Sequence, residues 1–157
     1  MSFVKIMVHA VWGTKYRSDI LTDDIREKVC NHIRANAKTK NIFIDSIEGH
    51  TDHLHCLTEL NPELSISKQM QLIKGESSHW INQNLSLPDK FSWAGDYYAV
   101  AVDKDAINAV RVYIKNQKEH HKKLTFQEEL EQIKREFGLG DAHAAAPAQD
   151  ASAQHGG

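Results

Sequence analysis

The chain has only two cysteines, Cys30 and Cys56, which lie far apart among 157 residues. They form no CxxC pair, and this spacing argues against both a zinc finger and a disulfide scaffold. We therefore predict buried, reduced thiols of the kind found in cytosolic proteins.

Long apolar runs are also missing, since no stretch approaches the ~20 residues that cross a bilayer. This predicts a soluble, cytoplasmic protein without membrane contact. From Asp141 onward the sequence has no large apolar residue, which predicts a disordered tail. We assign residues 1–138 to one domain and residues 139–157 to this tail.

The formal net charge is only -2, but the charge is unevenly distributed. The segment 1–17 has three basic residues and no acid, and the segment 104–123 has six basic residues and two acids. A polyanion binds to a local patch, so the total charge does not exclude a nucleic-acid partner.

Periodic patterns along the chain predict an α+β fold. Strands are expected at 3–12, 41–48, 53–60 and 96–102, and helices at 65–82, 103–122 and 126–137. A further helix is expected after a cap at Thr22, because Ile25, Val29 and Ile33 recur every four residues. The first six elements follow the βαββαβ order of a ferredoxin-like or RRM-like antiparallel sheet, with additional helical sequence at the C-terminal end. In that plan the first and third strands are central, and the third strand lies on a platform that can receive a ligand.

The third strand begins with Asp52-His53-Leu54-His55. Side chains alternate along a strand, so His53 and His55 are expected on one face. On the predicted third helix, Tyr113 and Gln117 are four residues apart and share a face. Two imidazoles, a carboxamide oxygen and a phenol together suit a metal-assisted, phosphodiester-cleaving centre with Tyr113 as nucleophile.

Neutral ligands of this kind leave the charge of a cation available for an anionic phosphate. Mg²⁺ prefers oxygen ligands and Mn²⁺ accepts imidazole, so the predicted cofactor is Mg²⁺ or Mn²⁺. Zinc is disfavoured because the set has no thiolate and no third histidine. Each motif also has a structural interpretation: an HxH pair can lie on a solvated sheet face, and a tyrosine can fill a packing position.

Several segments resemble the single-tyrosine, TnpA-like transposases of the IS200/IS605 group, members of the HUH nuclease superfamily. The resemblance covers about residues 1–137. It is carried by 52–55, 72–78 (LIKGESS), 91–93 (FSW) and 113–123 (YIKNQKEHHKK).

The resemblance implies that His53, His55 and Gln117 bind the metal and that Tyr113 is the nucleophile. It further implies cleavage and rejoining of single-stranded DNA at insertion-sequence ends through a 5′-phosphotyrosine, with recognition of subterminal hairpins. Members act as homodimers in which the tyrosine helix of one subunit can serve the histidine pair of the other, so we expect Tyr113 to act in trans.

Basic side chains near these motifs are the candidate DNA contacts. The predicted set is Lys5, Lys15, Arg17, Lys74, Arg111, Lys118, Lys122 and Lys123.

Other functions remain open at this point. A non-catalytic RRM-like binding module shares the strand order, but the third strand has no aromatic residue for base stacking. A two-histidine phosphoesterase needs a second HxH or HxT motif, and the sequence has none. A domesticated, inactive transposase relative is the third alternative.

Overall fold

The computed structural model describes residues 2–136. The predicted tail and the end of the last predicted helix lie outside the described residues, so the division at residue 138 remains a prediction.

A four-stranded antiparallel sheet forms the centre of the fold, as the sequence predicted. Its strands are β1 (Met7–Gly13), β2 (Phe43–Gly49), β3 (His53–Glu59) and β4 (Tyr98–Ala101). The order across the sheet is β2-β3-β1-β4, which makes β1 and β3 the central pair. Their register places Gly13 opposite His53 and Val11 opposite His55.

One face of the sheet packs against two long helices, α1 (Asp23–Thr39) and α2 (Ile66–Asn84). Because side chains alternate along β1 and β3, Trp12 and Leu54 point to this face and join the main core. Met70 of α2 is wholly buried in the same cluster. Burial of these apolar side chains away from water is the main force that holds the helices on the sheet.

The opposite face carries three shorter helices. They are α3 (Ile107–Lys115), α4 (Gln117–His120) and α5 (Phe126–Glu136). Ile114 of α3 packs on Met7 and Leu57, while Phe126 and Leu130 of α5 pack with Val11. Helices therefore cover the face that carries His53 and His55.

The predicted helix 103–122 is interrupted. A 3₁₀ turn covers Lys104–Ala106, α3 ends at Lys115, and Asn116 lies outside helical geometry with φ −96° and ψ 21°. Asparagine competes for backbone hydrogen bonds and is a weak helix former, which favours a break at this position. Tyr113 and Gln117 consequently belong to two different short helices.

Two strands are shorter than predicted. The first strand begins at Met7, and Phe3 is 89% exposed instead of packed. The fourth strand is confined to Tyr98–Ala101.

Both cysteines are free and buried, as predicted. Burial raises the pKa of each thiol. No helix within residues 2–136 is long and apolar enough to cross a membrane.

Candidate active site

The two histidines of β3 lie side by side on the face covered by the short helices. Both side chains are completely buried, and their ring centroids are 5.2 Å apart. The Nδ1–H of His53 faces the Asp52 carboxylate, with 2.8 Å between Nδ1 and Oδ1. This bond leaves Nε2 of His53 directed toward the interior of the site.

Helices α3 and α4 bring the other predicted site residues to this pair. The Tyr113 ring lies 5.5 Å from the His55 ring, centroid to centroid. Gln117 is buried, and its Oε1 lies 3.1 Å from Nε2 of His53. Despite the helix break, the structure brings together the four residues that the sequence selected, within one chain.

Sequence reasoning missed Glu129, a buried residue of α5 at the centre of the site. Its Oε1 lies 2.9 Å from Nε2 of His55 and 3.1 Å from Nε2 of His53. Its Oε2 accepts hydrogen bonds from the Tyr113 hydroxyl and from Nε2 of Gln117. Glu129 lies three residues after Phe126 and one before Leu130, on the apolar face of an amphipathic helix. A carboxylate on an apolar face was the sequence signal that could have identified this residue as buried.

His9 of β1 was also missed. Its Nε2 lies 2.8 Å from Nδ1 of His55, so it supports that ring from the neighbouring strand. Met7, His9 and Val11 alternate onto one face of β1, which placed His9 on the histidine face once the strand pairing was known.

Two histidines of the basic segment line the tyrosine side of the site. The His120 ring lies 4.5 Å from the Tyr113 ring, and Nε2 of His121 lies 3.1 Å from Oε1 of Gln117. Tyr113 and His120 are only half-buried, so the site reaches solvent on this side.

Burial shifts the proton affinities of the site. It lowers the pKa of His9 to about 3 and that of His55 to about 4. Burial also opposes a charged His53, but hydrogen bonds to Asp52 and Glu129 outweigh it and raise its pKa. Burial and the hydrogen bond to Glu129 raise the pKa of Tyr113 above its ordinary value.

The pKa of the Glu129 carboxyl is set mainly by its histidine partners. Burial would raise its pKa, but hydrogen bonds with the surrounding imidazoles of His121, His53 and His55 hold the pKa below its ordinary range. The carboxyl therefore remains ionised at neutral pH.

The predicted DNA-contact residues have different surroundings. Arg111 pairs with Asp45, Lys118 pairs with Asp23, and Lys122 pairs with Glu119. Lys5, Lys15, Arg17 and Lys123 are exposed.

Lys74 does not fit the DNA-contact prediction. Its side chain is buried, and Nζ donates to the carbonyl oxygens of Ala94 and Asp96 at 2.7 and 2.9 Å. These bonds assign Lys74 to the packing of α2 against the 94–96 loop.

The donor atoms fit a divalent cation. His53, His55 and Glu129 each offer one ligand atom, and these atoms lie within 4.8 Å of one another. Mn²⁺ accepts both imidazole nitrogen and carboxylate or carboxamide oxygen as ligands, so the whole set suits it. Mg²⁺ prefers oxygen ligands, which Glu129 and Gln117 offer.

An α+β fold with a buried histidine pair on its antiparallel sheet, facing a tyrosine on a neighbouring helix, agrees with the class of single-tyrosine transposases that the sequence resembles. The comparisons agree with this class. A family model described as Transposase, IS200-like matches residues 2–117, a range that contains Tyr113 and Gln117. The chain belongs to this family.

Curated relatives support the assignment. The transposase for insertion sequence element IS200 of Salmonella typhimurium is 32% identical over 119 residues, which cover 73% of this chain and 78% of the relative. The ISDra2 transposase TnpA of Deinococcus radiodurans is 22% identical over 114 residues, covering 69% of this chain and 81% of the relative.

Solved structures share the fold. A crystal structure described as that of a transposase from Deinococcus radiodurans matches with a TM-score of 0.60 and 23% identity, over 74% of this chain and 93% of that one. A REP-associated tyrosine transposase bound to a REP hairpin matches with a TM-score of 0.58 and 16% identity, over 96% and 92% of the two chains.

Proposed function

We propose that this transposase cleaves and rejoins single-stranded DNA at insertion-sequence ends through a 5′-phosphotyrosine on Tyr113. One observation carries the proposal: the Tyr113 hydroxyl is held by Glu129 beside the donor atoms of His53, His55 and Gln117. The family assignment supports the proposed reaction class, and this geometry supports the choice of residues.

His53, His55 and Gln117 would hold Mg²⁺ or Mn²⁺. When bound, such an ion polarises a non-bridging phosphate oxygen and offsets the negative charge that develops on the leaving oxygen.

The residues of the chain account for the bond changes. The Tyr113 oxygen forms a bond to phosphorus, and its proton leaves by way of Oε2 of Glu129, which already accepts the hydroxyl hydrogen bond, and ends on water. The bond between phosphorus and O3′ breaks, and the electron pair stays on O3′, which takes a proton from water. The phosphotyrosine ester keeps a cleavable bond for rejoining, so the reaction needs no nucleotide cofactor.

The nucleophile is tested with Tyr113→Phe and, as a matched control, Tyr97→Phe. The Tyr97 hydroxyl contacts Ser67, away from the site. We expect the control to form a covalent adduct with a single-stranded end oligonucleotide, detected by denaturing gel and mass spectrometry. Tyr113→Phe should form none, and an adduct on that variant would refute the assignment.

The metal-binding residues are tested separately from DNA binding. His53→Ala and Gln117→Ala should abolish Mg²⁺- or Mn²⁺-dependent cleavage and leave hairpin affinity largely intact, because neither side chain reaches the surface. Cleavage at the normal rate in both variants would show that the site is misassigned.

We further propose that the DNA substrate carries a hairpin. The support is the structural neighbour described as bound to a REP hairpin. The proposed contacts are the exposed basic residues of the predicted set, namely Lys5, Lys15, Arg17, Arg111, Lys118, Lys122 and Lys123.

A homodimer with Tyr113 acting in trans remains a prediction. In the structure, the tyrosine helix docks on the sheet of its own chain, where Ile114 packs on Met7 and Leu57. A partner's helix could occupy the same position after an exchange of the segment that follows β4. The cytoplasmic location is likewise a prediction.

Subunit mixing distinguishes the two arrangements. Tyr113→Phe protein is mixed with His53→Ala protein under conditions that exchange subunits, and mass spectrometry confirms mixed dimers. Action in trans predicts restored cleavage with the DNA attached to the His53→Ala chain. Confirmed mixed dimers that do not cleave would contradict action in trans.

A further inference from the structure

Glu129 lies beyond the part of the chain that the family model matches, which ends at residue 117. Its side chain is 1% exposed. Among residues 2–136, its ion-pair partners are all histidines: His53, His55 and His121. A buried carboxylate requires a compensating positive charge, and this one has neither lysine nor arginine as an ion-pair partner in the described part of the chain.

The hydrogen bonds of His53 show where positive charge is needed. Its Nδ1 faces a carboxylate oxygen of Asp52, which can only accept, so Nδ1 carries the hydrogen. In the neutral ring, Nε2 then has a lone pair. That lone pair faces Oε1 of Gln117 and Oε1 of Glu129, each 3.1 Å away.

His121 repeats this arrangement. Its Nδ1 lies 2.9 Å from the carbonyl oxygen of Leu124, which also can only accept. Its Nε2 lone pair therefore faces the same two oxygens, again at 3.1 Å. An imidazole that gives its second N–H to a carboxylate or a carbonyl is the usual surrounding of a metal-binding histidine.

The orientation of the Gln117 carboxamide is fixed independently. Its Nε2 donates to Oε2 of Glu129 at 3.1 Å, which turns Oε1 toward the histidines. Lone pairs of two imidazoles and two oxygens consequently converge on one small volume. A single proton relieves the repulsion between one pair of these atoms, whereas one divalent cation relieves it for all of them.

We infer that Glu129 is itself a ligand of the divalent metal, through Oε1, which lies 3.1 Å from Nε2 of His53 and 2.9 Å from Nε2 of His55. This inference rests on the proposed function, which places the metal at the histidine pair. The carboxylate reduces the charge of the site to one positive unit, which matches the single negative charge of a phosphodiester. Its other oxygen remains on the Tyr113 hydroxyl and ties the nucleophile to the metal site.

The test measures metal binding directly on the full chain, without DNA. Mn²⁺ affinity is determined by calorimetry and by the melting-temperature difference between Mn²⁺ and chelator. Glu129→Gln should bind Mn²⁺ at least about tenfold more weakly, because even the supporting partners of ligands are worth ten- to a hundredfold. Its melting-temperature difference should shrink accordingly.

Glu131→Gln is the matched control, since it removes the same charge from a more exposed position of α5. It should bind Mn²⁺ like the wild type. Circular dichroism in chelator shows whether each variant is folded, and Glu129→Ala provides a second, uncharged variant if Glu129→Gln is not.

The outcomes separate the inference from the proposed function. If His53→Ala loses Mn²⁺ binding while folded Glu129 variants bind within twofold of wild type, Glu129 is not a ligand and the proposed function stands. Tighter Mn²⁺ binding by the Glu129 variants would also overturn the inference, because the carboxylate would then compete with the metal. If His53→Ala binds Mn²⁺ normally, the proposed metal site itself is wrong.

Discussion

His9 shows how strongly a buried side chain can make stability depend on pH. Its pKa falls from 6.5 to about 3 on folding, mainly because burial disfavours the charged ring. Between these values the unfolded chain binds a proton that the folded chain does not. The contribution of His9 is therefore fully present above pH 6.5 and is lost as the pH falls toward 3.

We predict that His9→Gln flattens this dependence. Below pH 6.5 and in the presence of chelator, the free energy of unfolding should fall with decreasing pH in both proteins. The fall should be steeper in the wild type than in the variant, by up to about 1 kcal/mol per pH unit. Urea denaturation at a series of pH values measures this slope of unfolding free energy against pH. The exposed His79→Gln should keep the wild-type slope, and identical slopes for His9→Gln would contradict the assignment.

Lys74 gives a second prediction at the residue scale. Lys74→Met removes two hydrogen bonds to backbone carbonyls and should lower the free energy of unfolding by about 1–3 kcal/mol. Lys68→Met, at an exposed position of α2, should change it by less than about 0.5 kcal/mol. Unchanged stability together with weaker hairpin binding by Lys74→Met would return this residue to the DNA interface.

At the scale of the elements, the turn between β2 and β3 sets the position of the histidine pair. A Cβ on Gly49 would lie 2.0 Å from the carbonyl oxygen of His53 and 2.8 Å from the Cα of Leu54. Both atoms belong to the backbone and cannot rotate away. A Cβ on Gly13 would instead meet the edge of the Phe126 ring at 2.8 Å, and a side chain can adjust.

We therefore predict that Gly49→Ala is the more damaging substitution. It should cost about 3 kcal/mol of unfolding free energy, at the upper end for overpacked sites, while Gly13→Ala should cost about 1 kcal/mol. Chemical denaturation of both variants tests the order. A smaller loss for Gly49→Ala would show that the hairpin can move, and with it the position of His53.

At the scale of the whole molecule, charge distribution matters more than the net charge of -2. Lys15 and Arg17 project from the loop that follows β1, and the Arg17 guanidinium lies 5.4 Å from the centroid of the Phe126 ring, which stacks on His53. The Arg17 guanidinium is therefore close to the proposed cleavage site.

Hairpin binding should accordingly weaken with salt, because each neutralised phosphate releases counterions. The double variant Lys15→Gln/Arg17→Gln should reduce the slope of log affinity against log salt by about 1 to 2. Titrations between about 50 and 200 mM salt measure this slope. Lys90→Gln is the control with an unchanged slope, and an unchanged double variant would exclude this loop from the interface.

The sequence by itself determined the strand order, the central pairing of β1 with β3 and the common face of His53 and His55. The common face follows from the alternation of side chains along a strand, and the central pairing follows from the βαββαβ order of the elements. The YIKNQ string likewise identified Tyr113 and Gln117. Although the helix is interrupted at Asn116, both side chains still lie beside the histidine pair.

Only the tertiary structure decided what surrounds those residues. Glu129 is 74 residues from His55 along the chain, and no local pattern specifies that α5 packs over the sheet. Packing of α3 and α5 likewise covered the face that carries the histidine pair, and packing of α2 against the 94–96 loop buried the Lys74 side chain. Such contacts depend on the burial of apolar surface between segments that are distant in sequence. Periodicity predicts which face of a helix or strand is apolar, but it does not predict against which other element that face packs.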